Sequence, residues 1–186
     1  MAFTVVYDAC VLFPAPLRDL LIRLGHAGLV RARWTEQILD ECFRNIKLRR
    51  PELSDVSLLR TRTLMNAAVR DSIVTGYEPL IDGLTLPDKD DRHVLAAAVR
   101  SGAQVIVTSN LRDFPAEVLK AFGIEPQSPD EFVLNLLDLA PGAVAAIVSR
   151  QAADLNSPPH TRDQLLETLI ANGLGRSVAK LRELFA

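Results

Sequence analysis

The chain has 186 residues, 48% of them hydrophobic, which suits one substantial core with an appendage and argues against two domains of full size. A net charge of −2 excludes the global positive field of a strongly basic nucleic-acid-binding protein, and two cysteines without zinc spacing exclude a disulfide scaffold. Because the sequence shows no signal peptide and no long apolar segment, we expect a soluble cytoplasmic protein that does not contact a membrane.

The first half of the chain alternates β-rich runs with helical patterns. Residues 2–7 form a short apolar run that ends at Asp8, and leucines in the segment 17–24 have helical spacing. Thr35 is predicted to cap a further helix, with an apolar face within residues 38–46. Asp8 therefore lies at the tip of a first strand, where it either forms an Asx turn or joins other carboxylates in a site.

Two acidic residues of this helix, Asp40 and Glu41, flank its apolar face on opposite sides. The periodicity does not choose between them. Asp40 is expected to form a surface ion pair with Arg44 at i+4, whereas Glu41 shares its flank with Asn45. We therefore favour Glu41 as the functional carboxylate.

The segment that follows Pro51 is predicted to approach the functional site. A helical pattern covers residues 58–69, and residues 72–76 resemble a brief strand. We predict that residues 54–86 form a flap over the site.

Three aspartates, Asp88, Asp90 and Asp91, open an alanine-rich helix that ends at Gly102. Each aspartate taken alone has the position of an ordinary helix cap. Together they exceed what one cap needs, and crowded carboxylates repel unless they are protonated or a cation lies among them. A hard divalent cation would resolve this conflict. His93, one turn inside the helix, is expected to pack or form a hydrogen bond rather than to catalyse.

A β-branched run at residues 105–107 is followed by Asn110 and Asp113. Ligands of an open parallel sheet bind beyond the carboxyl ends of the strands and beside helix N-termini, which are the positions of Asp8, of Asp91 and of Asn110 or Asp113. Oxygen ligands without histidine or cysteine suit Mg²⁺ or Mn²⁺, which would activate water for hydrolysis. No serine, cysteine or histidine arrangement supports a covalent nucleophile.

The segment 31–50 carries six arginine and lysine residues against three acidic ones, and it precedes the acidic stretch in the chain. An acidic pocket beside a basic rim suits a metal site that receives a polyanion, although a mixed solvated surface explains the charges equally well. We predict that Arg49, Arg50 and Arg112 bind substrate phosphates.

The C-terminal part is predicted to be helical. A helix closes at Gly123, residues 124–125 add an edge strand, and Ser128 caps a helix that runs to residue 139. Beyond Pro141 come a further helix, a break at residues 156–159 and a capping box at Thr161. We assign residues 1–139 to the main domain and 140–186 to a helical extension, which docks on the core or on a second subunit.

Four segments resemble the PIN-domain ribonucleases, and among them the VapC-like toxins of type II toxin–antitoxin pairs. They are residues 5–12, residues 34–41, Asp91 with the alanines at 96–98, and residues 107–114, within a similarity over about residues 3–135. The resemblance implies a three-layer α/β/α fold with a parallel central sheet, and hydrolysis of RNA by water with Mg²⁺ or Mn²⁺. It also implies a cognate antitoxin and a possible homodimer as partners.

The same resemblance assigns roles to individual residues. Asp8, Glu41 and Asp91 match the first three acids of the family. The fourth acidic position holds Asn110, so that Asp113 is expected to supply the missing charge, and Thr108 matches a hydroxyl that supports the site.

Two other interpretations of the acidic positions remain. Asn110 and the helical extension suggest a non-catalytic PIN-like module that binds RNA or protein. A phosphoaspartyl phosphatase or receiver domain would also place Asp8 at a strand tip, but Cys10 stands where such a phosphatase has a second aspartate, and no lysine follows the strand at 105–107.

Overall fold

The computed structural model describes residues 2–155 and 160–186, and it has a parallel four-stranded sheet with helices on both faces. The strand order is β2-β1-β3-β4. The elements, in chain order, are β1 (Thr4–Tyr7), α1 (Ala9–Leu12), α2 (Ala15–His26), β2 (Arg31–Arg33), α3 (Glu36–Arg49), α4 (Asp55–Ala68), a 3-10 helix (Glu78–Gly83), α5 (Arg92–Ser101), β3 (Val105–Val107), α6 (Ala116–Leu119), a second 3-10 helix (Lys120–Phe122), β4 (Glu125–Gln127), α7 (Pro129–Leu139), α8 (Pro141–Asp154), α9 (Arg162–Ala171) and α10 (Gly175–Phe185).

Strand β1 lies in the middle of the sheet, and its apolar residues are buried on both faces. Val5 pairs with Ala32 of β2 on one side and with Val105 of β3 on the other. Tyr7 stacks on Trp34, with 6.3 Å between the ring centroids, and meets Phe132 of α7 edge to face. The central strands of a parallel sheet that is covered on both faces are typically almost wholly apolar, as β1 and β3 are here. The predicted three-layer α/β/α fold is confirmed.

The parallel register brings the carboxyl ends of β1 and β3 to the same edge of the sheet. The Asp8 amide, just past β1, donates to the Val107 carbonyl at 3.1 Å. The Thr108 amide, just past β3, donates to the Gln127 carbonyl at 3.0 Å. The residues that follow both strands are therefore fixed relative to each other by backbone hydrogen bonds.

The predicted helix starts are confirmed where a side-chain cap is involved. The Thr35 hydroxyl accepts from the Ile38 amide, and Ser128 accepts from Glu131 in the same manner. Thr161 and Gln164 form a reciprocal capping box. The break predicted at residues 156–159 lies outside the described residues.

Two predictions for the middle of the chain are wrong in part. The brief strand expected at 72–76 is a single parallel bridge between Trp34 and Ile73, because the chain makes its two hydrogen bonds to Trp34 and then leaves the sheet. Of the expected flap, the 3-10 helix Glu78–Gly83 contacts α5, the helix that follows Asp91. Helix α4 packs on α2 instead, so this part of the flap prediction is wrong.

The C-terminal helices dock on the core. Helix α10 packs on α7, where Asp130 accepts hydrogen bonds from both the amide and the hydroxyl of Ser177. Helix α8 packs on α2 through an ion pair of Asp154 with Arg23. Within the described ranges, none of the helices is both long and apolar enough to span a membrane.

Candidate functional site

Asp8 is a buried carboxylate at the sheet edge, and it accepts three hydrogen bonds. It is only 4% exposed, and it caps α1 by accepting from the Ala9 amide at 2.7 Å. Its other oxygen accepts from the Thr108 hydroxyl at 2.8 Å and from the Cys10 thiol at 3.1 Å. Burial, together with the charge of Asp8, raises the pKa of Cys10 to about 12, so the thiol keeps its proton. Asp8 thus serves as a cap and also stands among other acids.

Thr108 links Asp8 to the loop that follows β3. It is fully buried, and its oxygen also accepts from the Asn110 amide at 3.0 Å. A tight turn then follows, in which the Asp113 amide donates to the Asn110 carbonyl, and the buried Phe114 anchors its far end. This loop exposes Asn110 and leaves Asp113 half-buried beside the sheet edge.

Asp91 precedes α5, but its side chain makes no capping hydrogen bond there. The cap interpretation is therefore wrong for Asp91, and Asp88 makes the local turn by accepting from the Asp90 amide at 2.9 Å. Burial, and after it the negative charges of Asp8, Asp88 and Asp113, together raise the pKa of Asp91 to about 7, while His93 acts in the opposite direction. The fold therefore brings Asp8, Asp88 and Asp113 within electrostatic reach of Asp91.

Glu41 faces Asp91 across a cleft of about 400 Å³. A Glu41 carboxylate oxygen is 2.9 Å from Nε2 of His93, within ion-pair distance. The two atoms are not aligned as a hydrogen bond, and neither ring nitrogen of His93 has a hydrogen-bond partner in the described part of the chain. His93 is 2% exposed, so it packs against Glu41 as a buried neighbour.

The expected partner of Asp40 is wrong. Asp40 is paired with Arg62 of α4 at 2.5 Å, and the same guanidinium binds Glu36. This exposed network ties α3 to α4 on the side away from the cleft residues. Arg44, which was expected to pair with Asp40, instead lines the cleft with Glu41 and Asn45. Its spacing of three residues from Glu41 is the sequence signal that placed it on that face.

The three arginines that were predicted to bind phosphate have different surroundings. Arg49 lies over the Phe13 ring, 5.6 Å from its centroid, just beyond α1. Arg50 is paired with Glu52, and Arg112 is exposed in the loop after β3. Their role in binding remains a prediction.

The donor set has the chemistry that a hard divalent cation requires. Asp8, Asp91, Asp113 and Glu41 are all carboxylates, and the negative charges of Asp8 and Asp113 add to burial in raising the pKa of Asp91. No three His, Cys, Asp or Glu side chains of residues 2–155 and 160–186 are yet close enough together to hold an ion. A cation at this edge would therefore require the carboxylates to move closer together.

Two family models match the chain. The PIN domain matches residues 4–112, more than half of the sequence, and the VapC50 C-terminal domain matches residues 129–183. A Mycobacterium tuberculosis (strain ATCC 25618 / H37Rv) protein named "Putative ribonuclease VapC50" is 43% identical over 110 residues, which cover 59% of this chain and 64% of that protein. The match thus spans less than two thirds of that relative's length. No solved structure matches the chain.

The PIN-domain match covers all the candidate acids except Asp113, which follows its last residue directly. It also covers β1, β2 and β3, together with α3, which carries Glu41, and α5, which Asp91 precedes. Sequence similarity and three-dimensional arrangement thus agree, and the chain belongs to the PIN-domain family.

Proposed function

We propose that the chain is a metal-dependent endoribonuclease and the toxin of a toxin–antitoxin pair. The observation that carries the proposal is the approach of Asp8 and Asp113 to Asp91 at one sheet edge, where burial and then these neighbouring charges raise the pKa of Asp91. Repulsion between carboxylates lowers stability, and such arrangements are therefore found mainly where the charges serve a function. Similarity to a relative that is named as a ribonuclease supports the same activity.

In this proposal Asp8, Glu41, Asp91 and Asp113 hold Mg²⁺ or Mn²⁺. A bound cation of this kind supplies positive charge that acidifies water, orients the phosphodiester and stabilises the leaving oxygen. The Asp8 carboxylate has a defined orientation, because it accepts hydrogen bonds from three donors. Oxygen donors without a nearby cysteine thiolate favour these hard cations over zinc.

The other side chains position ligands and substrate. Thr108 orients Asp8, and Asn110 stands in the fourth acidic position of the family with Asp113 three residues later. Arg49, Arg50 and Arg112 would bind RNA phosphates, and guanidinium groups suit this because they bind phosphate in a bidentate manner.

The wider assignments follow from the family. A cognate antitoxin, a homodimer and a cytoplasmic location are proposed on that ground. The division into a nuclease domain at residues 1–139 and a helical extension at 140–186 is likewise a proposal, and it falls where α7 ends and α8 begins.

Cleavage of a mixed tRNA and mRNA pool tests the activity. We expect the purified protein to cut RNA with Mn²⁺, and EDTA to stop it. Asp8→Asn should lower the rate by more than about 100-fold, because it removes a ligand charge at almost constant volume. Asp163→Asn, the same change on the exposed first turn of α9, serves as the matched control and should keep full activity.

Full activity of folded Asp8→Asn, or cleavage that EDTA does not reduce, would overturn the metal-dependent mechanism. RNA binding without any cleavage would favour the non-catalytic module, and Asn110 in the fourth acidic position would then explain the lack of activity.

A further inference from the structure

A second charged groove lies away from the acidic cleft. It has a volume of about 710 Å³ and is bordered by β2, the end of α2 and the turn after α4. Arg31, Arg33 and Arg70 line it together with His26 and Asp71, and we refer to it as the arginine groove. Asp71 is the one acidic residue among the side chains described as lining it.

The local backbone explains why these arginines share one groove. Residues of a strand alternate between faces, so Arg31 and Arg33 point to one side, while Ala32 between them is 1% exposed and enters the core. After α4 ends, Asp71 adopts a positive φ of 56° and turns the chain back toward the Trp34 bridge. This turn brings Arg70 to the groove. A positive φ in a residue other than glycine is strained, and a fixed local structure maintains it.

The arginines of the groove outnumber its one aspartate, and they are not paired with carboxylates in the described part of the chain. Arg31, Arg33 and Arg70 form no ion pair with any residue in the ranges 2–155 and 160–186, whereas Arg23, Arg62 and Arg182 each bind a carboxylate. His26 completes the wall, with Nδ1 2.8 Å from the Ala68 carbonyl. In a chain with a net charge of −2, this is a local concentration of unneutralised positive charge.

The register of the sheet places the groove relative to the candidate site. Arg31 pairs with Thr4 at the start of β1, whereas Asp8 follows its end. At about 3.3 Å per residue, the level of Arg31 is roughly 13 Å from that of Asp8 along the strand. The groove therefore lies toward the opposite end of β1 from Asp8, separate from the acidic cleft, and a substrate that contacts both must be at least a few nucleotides long.

We propose that the arginine groove binds backbone phosphates of the RNA substrate away from the cleavage position. This inference rests on the proposed ribonuclease function. Guanidinium groups match phosphate oxygens in geometry and charge, and the three arginines spread over more space than one small anion would occupy. Binding at such a track is electrostatic and independent of sequence, so it raises affinity for RNA in general and makes that affinity sensitive to salt.

The salt dependence of RNA binding tests the groove. The measurement uses a fluorescent single-stranded RNA, the full chain carrying Asp8→Asn, and EDTA throughout, so that no cleavage occurs. In this background the double substitution Arg31→Gln and Arg70→Gln should make the negative slope of log K, the RNA association constant, against log salt shallower by about 1.4. Each lost phosphate contact on a single strand contributes about 0.7 to that slope.

The pair Arg60→Gln and Arg176→Gln is the matched control, since it removes the same charge from exposed positions outside the groove. We expect its slope to stay within the error of the parent. An unchanged slope in the Arg31 and Arg70 double variant would overturn the proposal that the groove binds RNA. An equal change of slope in both double variants would overturn it as well. Cleavage by the otherwise wild-type chain with Mn²⁺, measured in parallel, separates these results from a failure of the ribonuclease function itself.

Discussion

At the scale of single residues, Thr108 orients the side chains of the candidate site. Its hydroxyl donates to Asp8 and accepts from the Asn110 amide, so one buried group orients both a candidate ligand and the loop after β3. Groups that orient metal ligands in this way commonly change activity by 10- to 100-fold when they are removed.

We predict that Thr108→Val lowers the cleavage rate by about 10- to 100-fold, because valine keeps the shape but leaves Asp8 with one donor fewer. It should also lower the free energy of unfolding by about 1–3 kcal/mol, since the Asn110 amide loses its acceptor. Thr108→Ser retains the hydroxyl and should stay within a few-fold of the wild type. Kinetics with Mn²⁺ and urea unfolding measure both effects. Equal activity of the valine and serine variants would show that the hydroxyl does not orient the site.

Residues whose partners are close in sequence were predicted correctly. Thr35, Ser128 and Thr161 cap the helices that their patterns indicated, because a cap bonds to an amide only three residues away. Asp40 was assigned the wrong partner because Arg62 is 22 residues further along, and no local pattern connects the two. Asp91 had the sequence of a cap but stands among other carboxylates, which depends on how β1, β3 and α5 come together in the fold.

At the scale of elements, α7 connects the domain with the sheet to the C-terminal helices. The VapC50 C-terminal domain match begins at residue 129, where α7 starts, so this helix belongs to the matched extension as well as to the core. Asp130 in its first turn accepts from the amides of Arg176 and Ser177 near the start of α10. A carboxylate at this position caps α10 and complements the positive end of its dipole.

We predict that Asp130→Ala lowers the free energy of unfolding by about 1–3 kcal/mol, because the amide of the buried Ser177 loses its acceptor and the Ser177 hydroxyl keeps only the Asp130 backbone carbonyl. Asp138→Ala is the matched control on the same helix pair. It removes an exposed ion pair with Lys180, and such pairs contribute at most about 1 kcal/mol. Urea unfolding that gives the same loss for both variants would contradict this account of how α10 is attached.

At the scale of the whole molecule, Asp91 links the site to stability. Its pKa is about 7 in the folded chain and 3.8 as an ordinary aspartate. Between these values the folded state binds more protons than the unfolded state. The contribution of Asp91 is therefore fully present below about pH 4 and is lost as the pH rises through 7.

The size of this contribution is modest because Asp91 is partly exposed and solvent screens its neighbours. Without metal, we expect Asp91→Asn to be more stable than the wild type at pH 8 by on the order of 1 kcal/mol, with a smaller difference at pH 5. Asp163→Asn should show no such dependence on pH.

The measurement that tests the central claim most directly is urea unfolding at pH 8 with and without Mn²⁺. If the carboxylates of the sheet edge hold a divalent cation, Mn²⁺ should stabilise the wild type and Asp163→Asn by more than 1 kcal/mol at concentrations well above its Kd. It should stabilise Asp91→Asn far less, so that the order of stability between wild type and Asp91→Asn reverses when the metal is added. Equal stabilisation of Asp91→Asn and the wild type would contradict the claim that Asp91 and its neighbouring acids form the metal site.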